Sequence, residues 1–339
     1  MLAAIFDQPH SIKIENRERP DPKAGEALIK VDAAGLCAGD FYIFMGKNPY
    51  VTYPRIGGHE IAGRVERLGP NTDGPSVGTP VVVEPFIGCG KCYPCRVGKA
   101  NCCANLQIIG VHREGGFADY VVAPVNKLIG IPAGMSAYHA SFAEPVAIGV
   151  QACRRGAVTA DDTVLVLGAG PIGLALVEVA RARHAKVFIT DIADQRLQIA
   201  AELGATPLKA GDTLQDEVMR LTSGEGMPVV IEATGNAQAM QQSADLVAAG
   251  GRIVIVGLVK KGTEVSLQGL DFTRKEMTVL GSRASIDCFP ESLALIANGL
   301  IRYPEIGSRF SLAESPSVFA KLANNPASLH KAVFINENA

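Results

Sequence analysis

Five of the eight cysteines in this 339-residue chain stand at positions 89, 92, 95, 102 and 103. Their density is that of a metal site: Cys89, Cys92, Cys95 and Cys103 can place four thiolates around one ion, and Gly88, Gly90 and Gly98 let the loop fold back on itself. Zinc in such a closed tetrahedral set has Zn–S bonds near 2.3 Å and no open position for a substrate, so its role is to order the loop. Cys102 competes with Cys103 for the fourth place. An iron–sulfur cluster is the chemical rival, since it also takes four thiolates. A DNA-reading zinc ribbon fits poorly with a net charge of −2.

A second chemical signal lies in Gly168, Ala169, Gly170, Pro171, Ile172 and Gly173, which have the GxGxxG spacing directly after an apolar run and before a helical pattern. In that context the first glycine makes a tight turn and the second lets a pyrophosphate approach the backbone. The third lets helix pack on strand. The helix N-terminus offers unpaired N–H groups to phosphate. Asp191, 18 residues beyond Gly173, stands where an acid accepts the adenosine ribose hydroxyls and repels a 2′-phosphate. NAD is therefore expected over NADP, with Arg196 the residue that qualifies this. Gly257 and Leu258, past the strand expected at 253–256, complete the expected cofactor contacts.

These residues need elements to hold them. The first third reads as short strands (27–31, 61–67, 80–83, 118–122) broken by Gly and Pro, the texture of an irregular, mostly antiparallel β domain. Pro145 opens a helix through Ala152 that Gly156 can end. Strands at 163–167, 187–190, 229–231, 253–256 and 278–280 then alternate with helices, as in a parallel sheet covered on both faces. After about residue 286 the alternation fades into Pro-punctuated helices and a last strand at 331–335.

With 47% hydrophobic and 19% charged residues, the chain is long enough for two cores. No apolar run reaches a membrane span of about 20 residues, and no basic excess points to nucleic acid. Clustered cysteines without an export signal read as cytoplasmic.

Cys37 after Ala33, Ala34, Gly35 and Leu36, and Gly57, Gly58, His59 and Glu60 some 22 residues later, carry no decisive spacing of their own. Read together with Asp40, the cysteine lobe, Glu144, Pro145 and the glycine turn, they resemble the zinc-dependent medium-chain dehydrogenase/reductase family. Glu144 and Pro145 with Cys153, Arg154, Arg155 and Gly156 resemble its sorbitol dehydrogenase branch. Closer still is the bacterial sugar-acid group that includes L-galactonate and L-gulonate oxidoreductases and the starvation-sensing protein.

The resemblance implies an α/β fold in which a GroES-like β domain (1–148, completed by 287–339) accompanies a doubly wound Rossmann domain (149–286) binding NAD. It implies two zinc ions per subunit, one structural and one catalytic. Cys37 and His59 would hold the catalytic zinc, Glu144 would take the place of a second cysteine, and Glu60 would enter the shell as ligands exchange. Carboxylate in place of thiolate suits oxygen-rich substrates. Asp40 would hydrogen-bond the free ring nitrogen of His59. The implied reaction is oxidation of a secondary alcohol, with hydride passing to nicotinamide.

Two positions depart from the family pattern: Gly39 lacks the hydroxyl that begins the usual proton relay, and Tyr42 replaces the relay histidine. The proton can leave through Tyr42, Glu144 or water, and the space at Gly39 admits a bulkier substrate. Arg283 or Lys47 is expected to bind a substrate carboxylate. The expected substrate is a polyol or sugar acid, with L-threonine or a simple alcohol as alternatives. A metal- and nucleotide-binding regulator without turnover is the alternative from another class. A homodimer or homotetramer without nucleic-acid or membrane partners is the family's usual state.

Overall fold

The computed structural model describes residues 1–325 and 328–336, so part of the expected completing segment 287–339 lies outside the described residues. The chain divides into two compact units, Met1–Glu144 with Phe289–Ala297 and Pro304–Ala339, and Pro145–Cys288 with Asn298–Tyr303.

The first unit is built on the ten-residue strand Glu26–Gly35, buried throughout except at Glu26 and Lys30, which are half-buried. It pairs antiparallel with Glu60–Leu68, with Tyr120–Pro124 and with Ala332–Ile335. Pro80–Val83 and Leu128–Gly130 extend the sheet on one side and Ser308–Ser311 on the other, this last strand running parallel to Ala332–Ile335. Leu2–Gln8, Ser11–Asn16 and Arg55–Ile56 form a smaller sheet. The core is an aromatic cluster. Phe6 meets Phe319 edge-on at 5.3 Å and Phe117 meets Phe334 at 5.1 Å, arrangements that aromatic quadrupoles favour.

The second unit is a six-stranded, wholly parallel sheet. Its spatial order is Thr206–Lys209, Lys186–Asp191, Thr163–Leu167, Met227–Glu232, Val247–Ile255 and Thr278–Gly281. Numbered along the chain this is 3-2-1-4-5-6, the doubly wound order whose strand sequence reverses beside the first strand, where such sheets bind ligands. The strand Thr206–Lys209 has no counterpart in the sequence reading: it is an edge strand with Pro207 inside it and a single buried residue, Leu208. The strand expected at 253–256 begins instead at Val247. A register shift between Met227 and Val229 lets it run through Gly250, at φ +74°, and Gly251.

Residues 298–303 belong to the second unit although 287–339 was expected to complete the first. The cause is the buried Glu178, whose carboxylate accepts the backbone N–H groups of Arg302 and Tyr303 at 2.7 Å each. Burial raises the Glu178 carboxyl from 4.5 to about 7, against the lowering by those two donors. A carboxyl that holds its proton more tightly folded than unfolded adds stability at low pH, and that stability is lost as pH rises from about 4.5 through about 7. The Tm of the wild-type protein is therefore expected to carry a decline across that window, on the order of 5 °C, due to this group. In Glu178→Gln that component should vanish in calorimetric scans, while the whole curve lies lower because one amide oxygen now serves two N–H groups.

Candidate active site

Strand register assembles the first set of functional groups. Gly35 faces Glu60 across the antiparallel pair, so Cys37, two residues past the end of one strand, comes beside His59, one residue before the other. Cys37 is the N-cap of the short helix Ala38–Phe44. Gly58 sits at φ +87°, where a Cβ would strike the Phe117 ring at 2.6 Å, so the backbone before His59 passes tightly over the core. The donor atoms of Cys37, His59 and Glu60 all lie within 4.8 Å of one another.

Asp40 serves the backbone around it as well as the charge of the site. Its carboxylate, fully buried, accepts the N–H groups of Cys37 and Gly58, both at 3.0 Å. His59 Nδ1 lies 3.7 Å from Asp40 Oδ1, beyond hydrogen-bond reach, and has no hydrogen-bond partner. Asp40 thus ties the backbones of the two loops together, with its charge beside the imidazole. Glu144 is buried but stands outside the 4.8 Å group. Burial lifts its carboxyl to about 7, the charge of His59 lowers it, and that of Glu60 raises it.

One residue that sequence reasoning missed completes this cluster. Lys331, 4% exposed, donates to Leu36 O at 3.0 Å and pairs with the Glu60 carboxylate. A lysine 271 positions from its partner, at the head of an apolar strand, reads in the sequence as an ordinary solvated cation.

The enclave thus buries Asp40, Glu60 and Glu144 beside Cys37, with His59 and Lys331 as the facing bases. Burial lowers the His59 pKa, yet the charges of Asp40 and Cys37 hold it well above its ordinary value. Uncompensated buried anions are costly, and a divalent cation bound by thiolate, imidazole and carboxylate answers that cost. The residues fit zinc.

Cys89, Cys92, Cys95 and Cys103 form a second group within 4.8 Å. Cys92 Sγ lies 3.5 Å from Cys95 Sγ and 3.7 Å from Cys103 Sγ, close to the edge of about 3.8 Å of a tetrahedron with 2.3 Å Zn–S bonds. Backbone N–H groups of Cys89 and Asn105 donate to the Cys103 sulfur, which favours its thiolate form. Cys102 is exposed and outside the group. This donor set also fits zinc.

In the second unit, Gly168 adopts φ +100°, and a Cβ on Gly173 would fall 1.8 Å from Gly168 O, so strand and helix approach too closely for any other residue. Gly170, by contrast, has nothing within 4 Å of a Cβ position, and it caps the helix Pro171–Ala182 without a side-chain bond. Ile172 follows in the first turn. Backbone N–H groups of a first helical turn are the kind that bind phosphate. Asp191 ends the adjacent strand and accepts the N–H groups of Ala169 at 2.8 Å and Ala193 at 2.9 Å, with Arg196 Nη1 3.8 Å away. Gly257 lies against the backbone of Gly235, and Leu258 beyond it is 89% exposed. Tyr42, Lys47 and Arg283 are all exposed.

The chain matches the model of the alcohol dehydrogenase GroES-like domain over residues 23–133 and that of zinc-binding dehydrogenases over residues 171–298. It belongs to the zinc-dependent alcohol dehydrogenase family. It is 35% identical over 312 residues to the Escherichia coli K12 starvation-sensing protein RspB, with 89% of each chain covered. It is 37% identical to L-galactonate-5-dehydrogenase of the same organism over 305 residues, covering 89% of this chain and 88% of the relative. A crystal structure of an alcohol dehydrogenase from E. coli CFT073 complexed with NADH superimposes with a TM-score of 0.92 at 31% identity over 99% of both chains. A Sinorhizobium meliloti 1021 protein bound to NADP gives 0.91 at 33%, again over 99% of both. The chain is accordingly a dehydrogenase of the zinc-binding type, with the GroES-like and Rossmann domains of that family. Among the described residues, no helix is long and apolar enough to cross a membrane.

The two neighbouring thiols of the cysteine lobe make a direct comparison. Cys103→Ser is expected to lose one equivalent of zinc in elemental analysis and to lower Tm, whereas Cys102→Ser retains both the metal and the Tm.

Proposed function

We propose that the enzyme oxidises a secondary alcohol of a polyol or sugar acid, of the L-gulonate or L-galactonate type, with NAD as acceptor. The observation that carries this reading is the buried group of Cys37, His59 and Glu60 with Glu144 beside it, a metal-binding enclave richer in carboxylate than in thiolate. Hard oxygen donors match hard, oxygen-rich ligands.

Bound zinc would supply Lewis acidity toward a substrate hydroxyl, and bound NAD a hydride acceptor. Cys37 and His59 are the side chains that would hold the metal, with Glu144 as a carboxylate ligand and Glu60, inside the same 4.8 Å group, close enough to join them. Asp40 keeps their two loops at a fixed separation through its backbone hydrogen bonds. Gly39 leaves room against both ligands: a Cβ there would lie 3.5 Å from His59 Cε1 and 3.9 Å from Cys37 Sγ. The space is that of one methyl group, which relieves crowding beside both side chains. Gly39 also removes the hydroxyl that could take the substrate proton, and Tyr42, 55% exposed, is the nearest phenol in sequence.

On the nucleotide side, Gly170 would admit the pyrophosphate and Asp191 would accept the ribose hydroxyls, with Pro171, Ile172, Gly257 and Leu258 against the cofactor. Both Asp191 oxygens are already oriented by backbone N–H groups, so the acid is preset for this task. Arg283 or Lys47 would take the carboxylate of a sugar acid.

NADH formation should appear with a hexonate, pentitol or hexitol rather than with L-threonine or a simple alcohol. Cys37→Ser should lower it by more than about a hundredfold, since loss of mere second-shell partners already costs ten- to a hundredfold. Silence across that panel, with zinc and NAD demonstrably bound, would favour a regulator without turnover. Asp191→Ala is expected to raise KM for NAD by roughly ten- to a hundredfold and KM for NADP by less. Arg283→Ala should raise KM for a sugar acid on a similar scale and leave that for a neutral polyol unchanged; equal effects would remove Arg283 from the carboxylate site.

A further inference from the structure

Glu232 ends the strand Met227–Glu232, is fully buried, and has no part in the chemistry described above. Its Oε1 accepts the N–H of Thr234 at 2.6 Å, the Thr234 hydroxyl, and the N–H of Gly235 at 3.0 Å. Several donors converging on one oxygen are the partners of a carboxylate anion. Its Oε2 is buried with no hydrogen-bond partner, and among the described residues no Lys, Arg or His side chain pairs with the group. A buried anion without a cation is costly, and an orphaned oxygen adds to the cost.

Strand register places that charge. Glu232 stands beside Leu167, the residue before Gly168, on one side and beside Ile255 on the other. Its carbonyl accepts the N–H groups of Val256 and Gly257 at 2.9 and 3.1 Å. A Cβ on Gly257 would fall 2.6 Å from Glu232 Oε2, and one on Gly168 would fall 2.7 Å from Thr234 Cγ2. The turns after three neighbouring strands therefore close around one carboxylate, at the carboxyl ends of the strands where the strand order reverses. A dinucleotide crosses such a point with one mononucleotide on each half of the sheet. Asp191 lies in the half that takes adenosine, so Glu232, across the strand Thr163–Leu167, lies in the half that takes nicotinamide.

The two redox forms of that ring differ by one charge: the oxidised ring is a cation and the reduced ring is neutral. We propose that Glu232 is the buried counter-charge for the oxidised ring and raises the enzyme's affinity for NAD relative to NADH. This rests on the reading that the Gly168–Gly173 turn and Asp191 bind NAD. The cation missing from the surroundings of Glu232 is then supplied by the cofactor. An enzyme that takes up the oxidised form and releases the reduced one gains from such a bias.

The test is calorimetric titration of the zinc-loaded protein with NAD, NADH and ADP, in the absence of substrate. Glu232→Gln removes the charge while keeping the shape and an oxygen for the N–H groups of Thr234 and Gly235. It should weaken NAD binding on the order of tenfold and leave NADH and ADP within about twofold of wild type. Glu232→Asp keeps the charge but shortens its reach to the turn. That variant should lower Tm yet hold the wild-type ratio of NAD to NADH affinity, and it decides the matter if Glu232→Gln does not fold. Equal losses of NAD and NADH affinity in Glu232→Gln, or no loss of either, would leave the carboxylate a clamp on the turns and overturn the proposal. A roughly tenfold change of the ratio in Glu232→Asp would overturn it as well. Asp191→Ala tests the underlying reading: if ADP binding survives that change intact, the nucleotide assignment itself fails and the role of Glu232 falls with it.

Discussion

The pairing of one strand, Glu26–Gly35, governs the chemistry of the first unit. Its antiparallel register with Glu60–Leu68 sets Gly35 opposite Glu60, and its register with Ala332–Ile335 sets Gly35 opposite Val333. Cys37, His59, Glu60 and Lys331 all emerge at that one sheet end, although they span nearly the whole sequence. A slip of a single residue in either pairing would turn Glu60 or Lys331 to the opposite face. The buried aromatic cluster beneath, together with the Asp40 hydrogen bonds to the backbones of Cys37 and Gly58, resists such slips. Precision in the site is inherited from the sheet.

The second unit obeys a simpler constraint. A parallel sheet in the order 3-2-1-4-5-6 opens at its reversal point, and Gly168, Gly170 and Gly173 lie at the end of the strand beside that opening. The three glycines meet different demands. Gly173 must let carbonyl and helix touch, Gly168 must turn at positive φ, and Gly170 leaves its surroundings open. Only the first two are needed for packing, so the openness at Gly170 is the part of the motif that belongs to a ligand.

Much of this was legible in the sequence because it is local. The cysteine lobe lies within fifteen residues, and its fourth sulfur is distinguished from Cys102 only by burial, which spacing cannot express. The glycine turn follows its strand directly, so type and place came together. What escaped reading was set by distance or by context. Lys331 reaches its role through a partner 271 positions away. That Asp40 also ties down the backbone N–H groups of Cys37 and Gly58 depends on loops brought together by the fold, which sequence does not show. The edge strand Thr206–Lys209 buries one residue and so leaves no periodic trace.

The lysine's position along the chain has a consequence for how the protein comes to exist. Asp40, Glu60 and Glu144 are made in the first half of synthesis, and the single lysine that faces them arrives with the last strand described. Until that strand docks, Glu60 has no cationic side chain facing it. The strand that completes the sheet beside Gly35 and the lysine that meets Glu60 are thus neighbours in the chain. A chain that stops short of residue 331 therefore lacks the cation that neutralises Glu60, so any truncation there strips charge from the site as well as a strand from the sheet.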